Sequence, residues 1–344
     1  MAQGGGVNNV AYYLTKALRK KVIVTYLPGI RSNQDSIEIY FNVFSQFLKK
    51  EFDIIHFNIA PSWINGSSTL LRFAKLRQAH TVFNIHDIPY LERQVEQEQT
   101  PSFSFPKWLS VLSYCNSADR IVVNSKFMQN NVVTWYRINH DKVEVIPNGI
   151  DLERFTGNDG RIILDGDPSI LYMGHLSRRK GVDVLIRGMA KLKSGLPNFK
   201  LHLVGGGNNS PFALLAREFG IEKHVIFHGW GMPSMLPSYY KSADICVFPS
   251  RHEGFGIVIL EAMASGKPVI ASDIPSFQEI ISNGIDGRLF KSEDADSLSK
   301  AVIALYQDSH LRRELTYNAL EKAKMYSWDK IAEKYISLYK SLCE

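Results

Sequence analysis

From about residue 160 onward, short apolar runs alternate with stretches of helical periodicity, and few folds accommodate that pattern. SILYM (169–173), KLHLV (200–204), HVIFH (224–228), DICVF (244–248) and PVIAS (268–272) have the length and apolar character of buried strands. Between the first two, Val182, Leu185, Ile186, Met189 and Leu192 recur at helical spacing. Continuous apolar strands separated by amphipathic helices predict a parallel sheet covered on both faces.

The first half follows the same plan less regularly. KVIVTYL (21–27), FDIIHF (52–57), HTVFNI (80–85), DRIVVN (119–124) and VEVIPN (143–148) read as strands. The polar and then Ser/Pro-rich segment 91–107 reads as a surface loop or lid. Residues 147–168 carry turn residues and little periodicity, which places a boundary there. The expectation is an α/β protein of two doubly wound domains, one over 1–150 and one from 151. A chain of 344 residues is long enough for two cores.

Composition narrows the class without deciding it. With 45% hydrophobic and 22% charged residues, wholesale disorder is excluded. No apolar run approaches the ~18 residues of a membrane span, and MAQGGGVNNV has neither the basic nor the apolar region of a signal peptide. Cys115, Cys246 and Cys343 are far apart without metal spacing, so a cytoplasmic setting is expected. The formal charge of +6 favours anionic partners such as nucleotides, phosphorylated substrates or an acidic membrane surface. No helix-turn-helix, zinc-finger or RNP pattern points to nucleic acid.

In doubly wound sheets ligands lie beyond the carboxyl ends of the strands, so the residues there carry the chemistry. After 169–173 come Arg178, Arg179 and Lys180 at a helix start, the end where the dipole disfavours cations by roughly 0.3–1 kcal/mol each. A bound diphosphate would reverse that, and a solvated basic turn is the other reading. Gly205–Gly207 either admit a ligand close to the backbone or simply make a turn. SRHEGFGIVILEAMASGKP (250–268) sets Glu253 before a glycine-flanked turn and Glu261 inside an apolar helix that starts near Gly256 and ends at Gly266. Gly254 and Gly256 would offer backbone N–H groups to an anion, and the carboxylates could accept from sugar hydroxyls. A structural salt bridge for Glu261 is equally open at this point.

These stretches together resemble a known family. GHLSRRKGVDVLI, LVGGG, VIFHGW, the Glu-x7-Glu pair and its surroundings, VIPNGIDLERF (145–155) and YSWDKIAEKYISLY are similar to the retaining nucleotide-sugar glycosyltransferases of GT-B architecture. Bacterial mannosyltransferases and sucrose synthases belong to that family. The resemblance implies two Rossmann-like domains facing a central cleft, the second over 151–326, and a last helix over 327–344 returning toward the first. It implies that Lys180, with Arg178 and the amides of Gly254, Phe255, Gly256 and Ile257, binds the donor diphosphate. Glu261 would hold the ribose, Glu253 the donor sugar, and backbone at Phe227 to Gly229 the base. Gly5 and Gly6 would face the phosphates from the first domain, and His86 would line the reaction centre. His86 read alone is a hydrogen-bonded strand-end histidine.

The activity implied is transfer of a hexose from a UDP- or GDP-linked donor to an acceptor hydroxyl, with retention and without metal or further cofactor. No Asp-x-Asp stands beside the donor motifs. The acceptor would be a glycan, a lipid-linked molecule or a small molecule; the basic run KALRKK (16–21) suits peripheral contact with an inner membrane surface, or is a solvated helix end. Two departures stand out. His175 replaces the family's usual Arg, and no strand precedes the glycine loop at the amino terminus, which leads to the expectation that the frame continues upstream. An epimerase on the same fold and a non-catalytic transferase-like subunit are the rival readings.

Overall fold

The computed structural model describes residues 6–24, 52–58, 74–86, 88, 105–157, 160 and 162–344. It forms two compact units, each built on a parallel sheet. One takes the described residues up to Gly149 together with Trp328–Glu344, and the other runs Ile150–Ser327.

In the first unit, β1 (Ile54–Asn58), β2 (His80–Ile85), β3 (Arg120–Val123) and β4 (Val143–Val145) lie side by side in that order, all parallel. Val82, Phe83, Ile121 and Val122 are buried, as strands covered on both faces require. Helix Gly6–Leu18 presents Val10, Leu14, Ala17 and Leu18 at helical spacing to Trp328, Ile331, Ala332, Tyr335 and Leu338 of helix Trp328–Cys343. Lys20 and Lys21 of the basic run reach Asp329 (2.8 Å) and Glu333 (2.7 Å) on that helix. Both pairs are exposed and contribute at most about 1 kcal/mol each. Residues 21–24 are turn and coil rather than the start of a strand; 25–27 lie outside the described residues, as do Gly5 and the loop segment 91–104.

The second unit holds β5 (Ser169–Met173), β6 (Lys200–Val204), β7 (Val225–Gly229), β8 (Ile245–Phe248), β9 (Val269–Ser272) and β10 (Arg288–Phe290). Their order is β10-β9-β8-β5-β6-β7, all parallel. Sequence order therefore reverses between β5 and β8, and that switch point is where such sheets place ligands. One face packs Ile170, Tyr172, Leu201 and Leu203 under helix Val182–Ala190. The other packs Leu171, Met173, Cys246 and Phe248 under helix Ile257–Ala264. β10 was not read from the sequence.

Gly149 shows how tightly the first unit is closed around its last helix. A Cβ there would lie 2.5 Å from the ring of Trp328, which is 9% exposed. Gly149→Ala is expected to cost about 1–3 kcal/mol through overpacking and to lower the melting midpoint of this unit in scanning calorimetry.

Candidate functional site

The loops that follow β5 and β8 meet at the switch point, and their backbones are interlocked. Gly181 has φ +71°, and a Cβ on it would lie 1.9 Å from the Pro249 carbonyl oxygen. The Arg251 N–H donates to the Arg179 carbonyl (2.9 Å). Its guanidinium donates to the Arg178 carbonyl, to both oxygens of Asp183 (2.6 and 2.8 Å) and to Glu293 (2.7 Å). Burial alone would raise the Asp183 carboxyl, but the Arg251 bonds outweigh it and hold it below the usual range. Bidentate pairing of this kind fixes geometry as well as charge.

Within this frame Lys180 Nζ donates to Glu253 Oε1 at 2.5 Å, with the two side chains only 20% and 12% exposed. Ser250 Oγ donates to the same oxygen at 2.9 Å. Burial pushes Glu253 up; the charges of Lys180 and Arg179 and these two hydrogen bonds bring it down, below the ordinary carboxylate value. Glu253 is thus an ionised carboxylate whose partner is the ammonium one loop away.

Glu261 differs. It lies on the helix Ile257–Ala264, and its Oε2 accepts from the Tyr240 hydroxyl at 2.8 Å. Burial pushes its carboxyl up to about 7, against the smaller opposing effects of that bond and of Arg154. The helix begins after Gly256, at φ +103° and without a side-chain cap, and Ile259 N–H donates to the Gly256 carbonyl at 3.0 Å. A Cβ at Gly256 would lie 2.5 Å from the Phe277 ring. Phe255 turns its side chain into the core, leaving only its backbone for a ligand, while Gly254 and Ile257 are half-buried.

The remaining candidates are dispersed. Gly229 ends β7 at φ +68°, and its carbonyl accepts from Gly205 N–H at 2.8 Å. His175 and Arg178 line a concavity of about 910 Å³ with Asp183, Arg187, Phe212 and Arg251. Arg178 stands two residues before Lys180, and its carbonyl accepts from the Arg251 guanidinium. Gly6 opens the helix Gly6–Leu18 in the first unit. In that unit His86 follows β2, half-buried, with Nε2 against Asn58 Oδ1. Burial, and secondarily the neighbouring His56, lower its pKa to about 4, so the ring is neutral. The sequence reading missed Arg251, Ser250, Tyr240 and Asn58. The first two stand inside the quoted Glu253 motif; Ser250 pairs with Glu253 three residues on, whereas the partners of Arg251, Asp183 and Glu293, are distant in sequence.

Two parallel-sheet domains define the class: a GT-B, Rossmann-like α/β protein. The profile described as "Glycosyl transferases group 1" matches residues 160–322, and that of "Glycosyltransferase Family 4" matches 4–154. The second unit thus matches the group 1 glycosyltransferases, and the first matches glycosyltransferase family 4. It is 33% identical over 250 residues to an uncharacterized glycosyltransferase of Methanocaldococcus jannaschii, covering 69% of this chain and 63% of that one. It is 28% identical over 307 residues to the D-inositol 3-phosphate glycosyltransferase of Nocardia farcinica, covering 84% and 66%. The chain thus spans slightly under two thirds of these relatives. The structure of Anabaena HepE with UDP and glucose superposes with TM-score 0.77 at 18% identity, covering 99% of this chain and 97% of that one.

Gly181→Ala is expected to lose about 1–3 kcal/mol of stability, because φ +71° strains any L side chain and the Pro249 carbonyl occupies its place. A chemical denaturation midpoint equal to that of the unaltered protein would show that the two loops are not interlocked as described.

Proposed function

We propose that this chain transfers a hexose from a UDP- or GDP-linked donor to an acceptor hydroxyl, with retention and without a metal. The observation that carries the reading is the Lys180–Glu253 pair at the switch point, beside an uncapped helix start and Glu261. HepE, solved with UDP and glucose, supports a uridine donor. Among the described residues no helix is long and apolar enough to cross a membrane. One relative takes its name from D-inositol 3-phosphate, and a formal charge of +6 suits an anionic acceptor of that kind. A glycan or a lipid-linked acceptor remains within the same reading, and KALRKK could then touch an anionic membrane surface.

The roles follow from the chemistry of each group. An ammonium has three donors, so Lys180 can keep Glu253 while donating to the diphosphate. The amides of Gly254 to Ile257 add donors at the positive end of a helix dipole. Together they would stabilise charge developing on the leaving phosphate, which is where electrostatic catalysis acts. Glu253 would accept from hydroxyls of the donor sugar, Glu261 from the ribose diol, and backbone at Phe227 to Gly229 would meet the base. The bond from the anomeric carbon to the phosphate oxygen breaks as the acceptor oxygen bonds that carbon on the same face. The acceptor proton passes to the departing phosphate oxygen. Within the first unit His86 is neutral and held by Asn58.

Paired substitutions test this assignment. Glu261→Gln should weaken nucleoside diphosphate and nucleotide sugar alike, by one to two decades in calorimetry, since both carry the ribose. Glu253→Gln should spare the diphosphate and weaken only the sugar-bearing donor, with a large loss of turnover. Lys180→Ala should weaken the diphosphate far more than the bare nucleoside. The opposite split would remove the assignment, and turnover of the donor in the absence of any acceptor to an isomeric nucleotide sugar would indicate epimerisation instead.

The elevated Glu261 pKa gives a second test. A carboxylate accepts hydrogen bonds from two hydroxyls, whereas the acid form gives up part of that capacity. Nucleoside affinity should therefore rise as pH increases through about 7, with proton release on binding. The bare nucleoside is the ligand of choice, because it carries no titrating phosphate. An identical pH dependence in Glu261→Gln would show that another group is responsible.

A further inference from the structure

Tyr240 is fully buried on the helix Leu236–Ser242, and its hydroxyl donates to Glu261 Oε2 at 2.8 Å. The Val258 carbonyl, on the helix that carries Glu261, lies at 3.5 Å, too far for a strong bond. Burial first, and then the adjoining carboxylate, raise the phenol well above its ordinary value, so it stays a donor. Among the described residues this is the one hydrogen bond to the Glu261 side chain, and it leaves Oε1 without a protein partner.

The ring that carries the hydroxyl is held by the segment that opens the second unit. Phe155, 2% exposed on the helix Leu152–Thr156, meets Tyr240 edge-on, with ring centres 5.9 Å apart and planes at 67°. The Arg154 guanidinium lies 5.2 Å from the centre of the Phe155 ring and donates to the Pro233 carbonyl. Tyr240 and Arg154 both act on the Glu261 carboxylate. Cys246 of β8, which acts on Tyr240, is a neutral thiol pushed up to about 12 by burial. The helix Ser309–Met325 brings Ala319 and Ala323 to the same cluster. The phenol is thus the group that sets the plane of the carboxylate.

We propose that Tyr240 is a positioning residue for the donor's ribose: by holding Oε2 it fixes the carboxylate of Glu261 so that both ribose hydroxyls can donate to it at once. This rests on the assignment of Glu261 to the ribose above. The terminal torsion of a glutamate is broad, so an unpinned carboxylate would lose that freedom each time a diol bound. A carboxylate oxygen has about two lone-pair sites, so Oε2 keeps one beside the phenol and Oε1 keeps both. A ligand with a single hydroxyl gains little from a fixed plane, whereas a vicinal diol needs it. Tyr240 therefore acts on the preference for ribose over deoxyribose.

The test is calorimetric titration of the full chain with UDP, GDP and their 2′-deoxy counterparts. Tyr240→Phe keeps the ring against Phe155 and is expected to weaken the ribonucleotides about three- to tenfold while changing the deoxy forms little. It should also move the pH midpoint of uridine affinity above about 7, because the phenol's bond lowers the Glu261 carboxyl and its loss raises it further. Arg154→Gln removes a charge without releasing Oε2, so it should raise the midpoint and leave the ribose preference as it was. Should Tyr240→Phe not fold, Phe155→Leu, which loosens the ring but keeps the hydroxyl, must show the same loss of preference. An unchanged preference, or an equal loss for ribo and deoxy forms, overturns the positioning role alone. An unaltered protein that does not prefer the ribonucleotides, or a preference that survives Glu261→Gln, overturns the ribose assignment and the positioning role with it.

Discussion

The guanidinium of Arg251 holds the candidate site together. It ties the loop after β8 to the loop and helix after β5 through Asp183 and the Arg178 carbonyl, and it reaches Glu293 beyond them. Without that tie, two glycine-containing loops would have to keep their register through a few backbone contacts. Arg suits the position because its planar fork meets a carboxylate with two parallel bonds and is charged at all accessible pH values. Asp183 then sits in the first turn of a helix, where negative charge is favoured, so the pair and the dipole agree.

Within that frame the two glutamates are driven in opposite directions by their surroundings. Glu253 has an ammonium, a guanidinium and a hydroxyl near it, and these overcome the cost of burial. Glu261 has one hydroxyl bond and a more distant Arg154, and burial wins. Eight residues apart in sequence, they differ because one stands on a loop that faces the β5 turn and the other on a helix packed against Tyr240. A vicinal diol would supply Glu261 with the donors that its own fold withholds.

Much of this was legible in the chain. The strand runs from 169 to 272 reproduce β5 to β9 within a residue, because fully buried parallel strands are apolar on both faces. The helix end at Gly266 was readable because φ +65° there suits glycine. Arg251 was not, since its partners Asp183 and Glu293 lie 68 and 42 residues away, and no periodicity encodes such a pairing. Tyr240, 21 residues from Glu261, escaped for the same reason. In the first unit, strands flanked by polar ends blurred the edges, and β4 stops at Val145 where the strand read as VEVIPN runs on to 148.

The division between Arg251 and Lys180 separates what builds the site from what it does. Both are cations bound to carboxylates at the same switch point. Arg251 uses its donors on protein groups across several elements, so its loss would leave Asp183 and backbone carbonyls without partners, a cost borne by the fold. Among the described residues Lys180 makes one ion pair, and buried pairs of that kind seldom add net stability over apolar substitutes, because desolvation offsets the attraction. A pair that contributes little to the fold, is partly open to solvent and keeps donors in reserve is suited to a ligand instead. Its geometry at 2.5 Å holds the ammonium on Glu253, three residues before the N-cap Gly256 of the helix Ile257–Ala264.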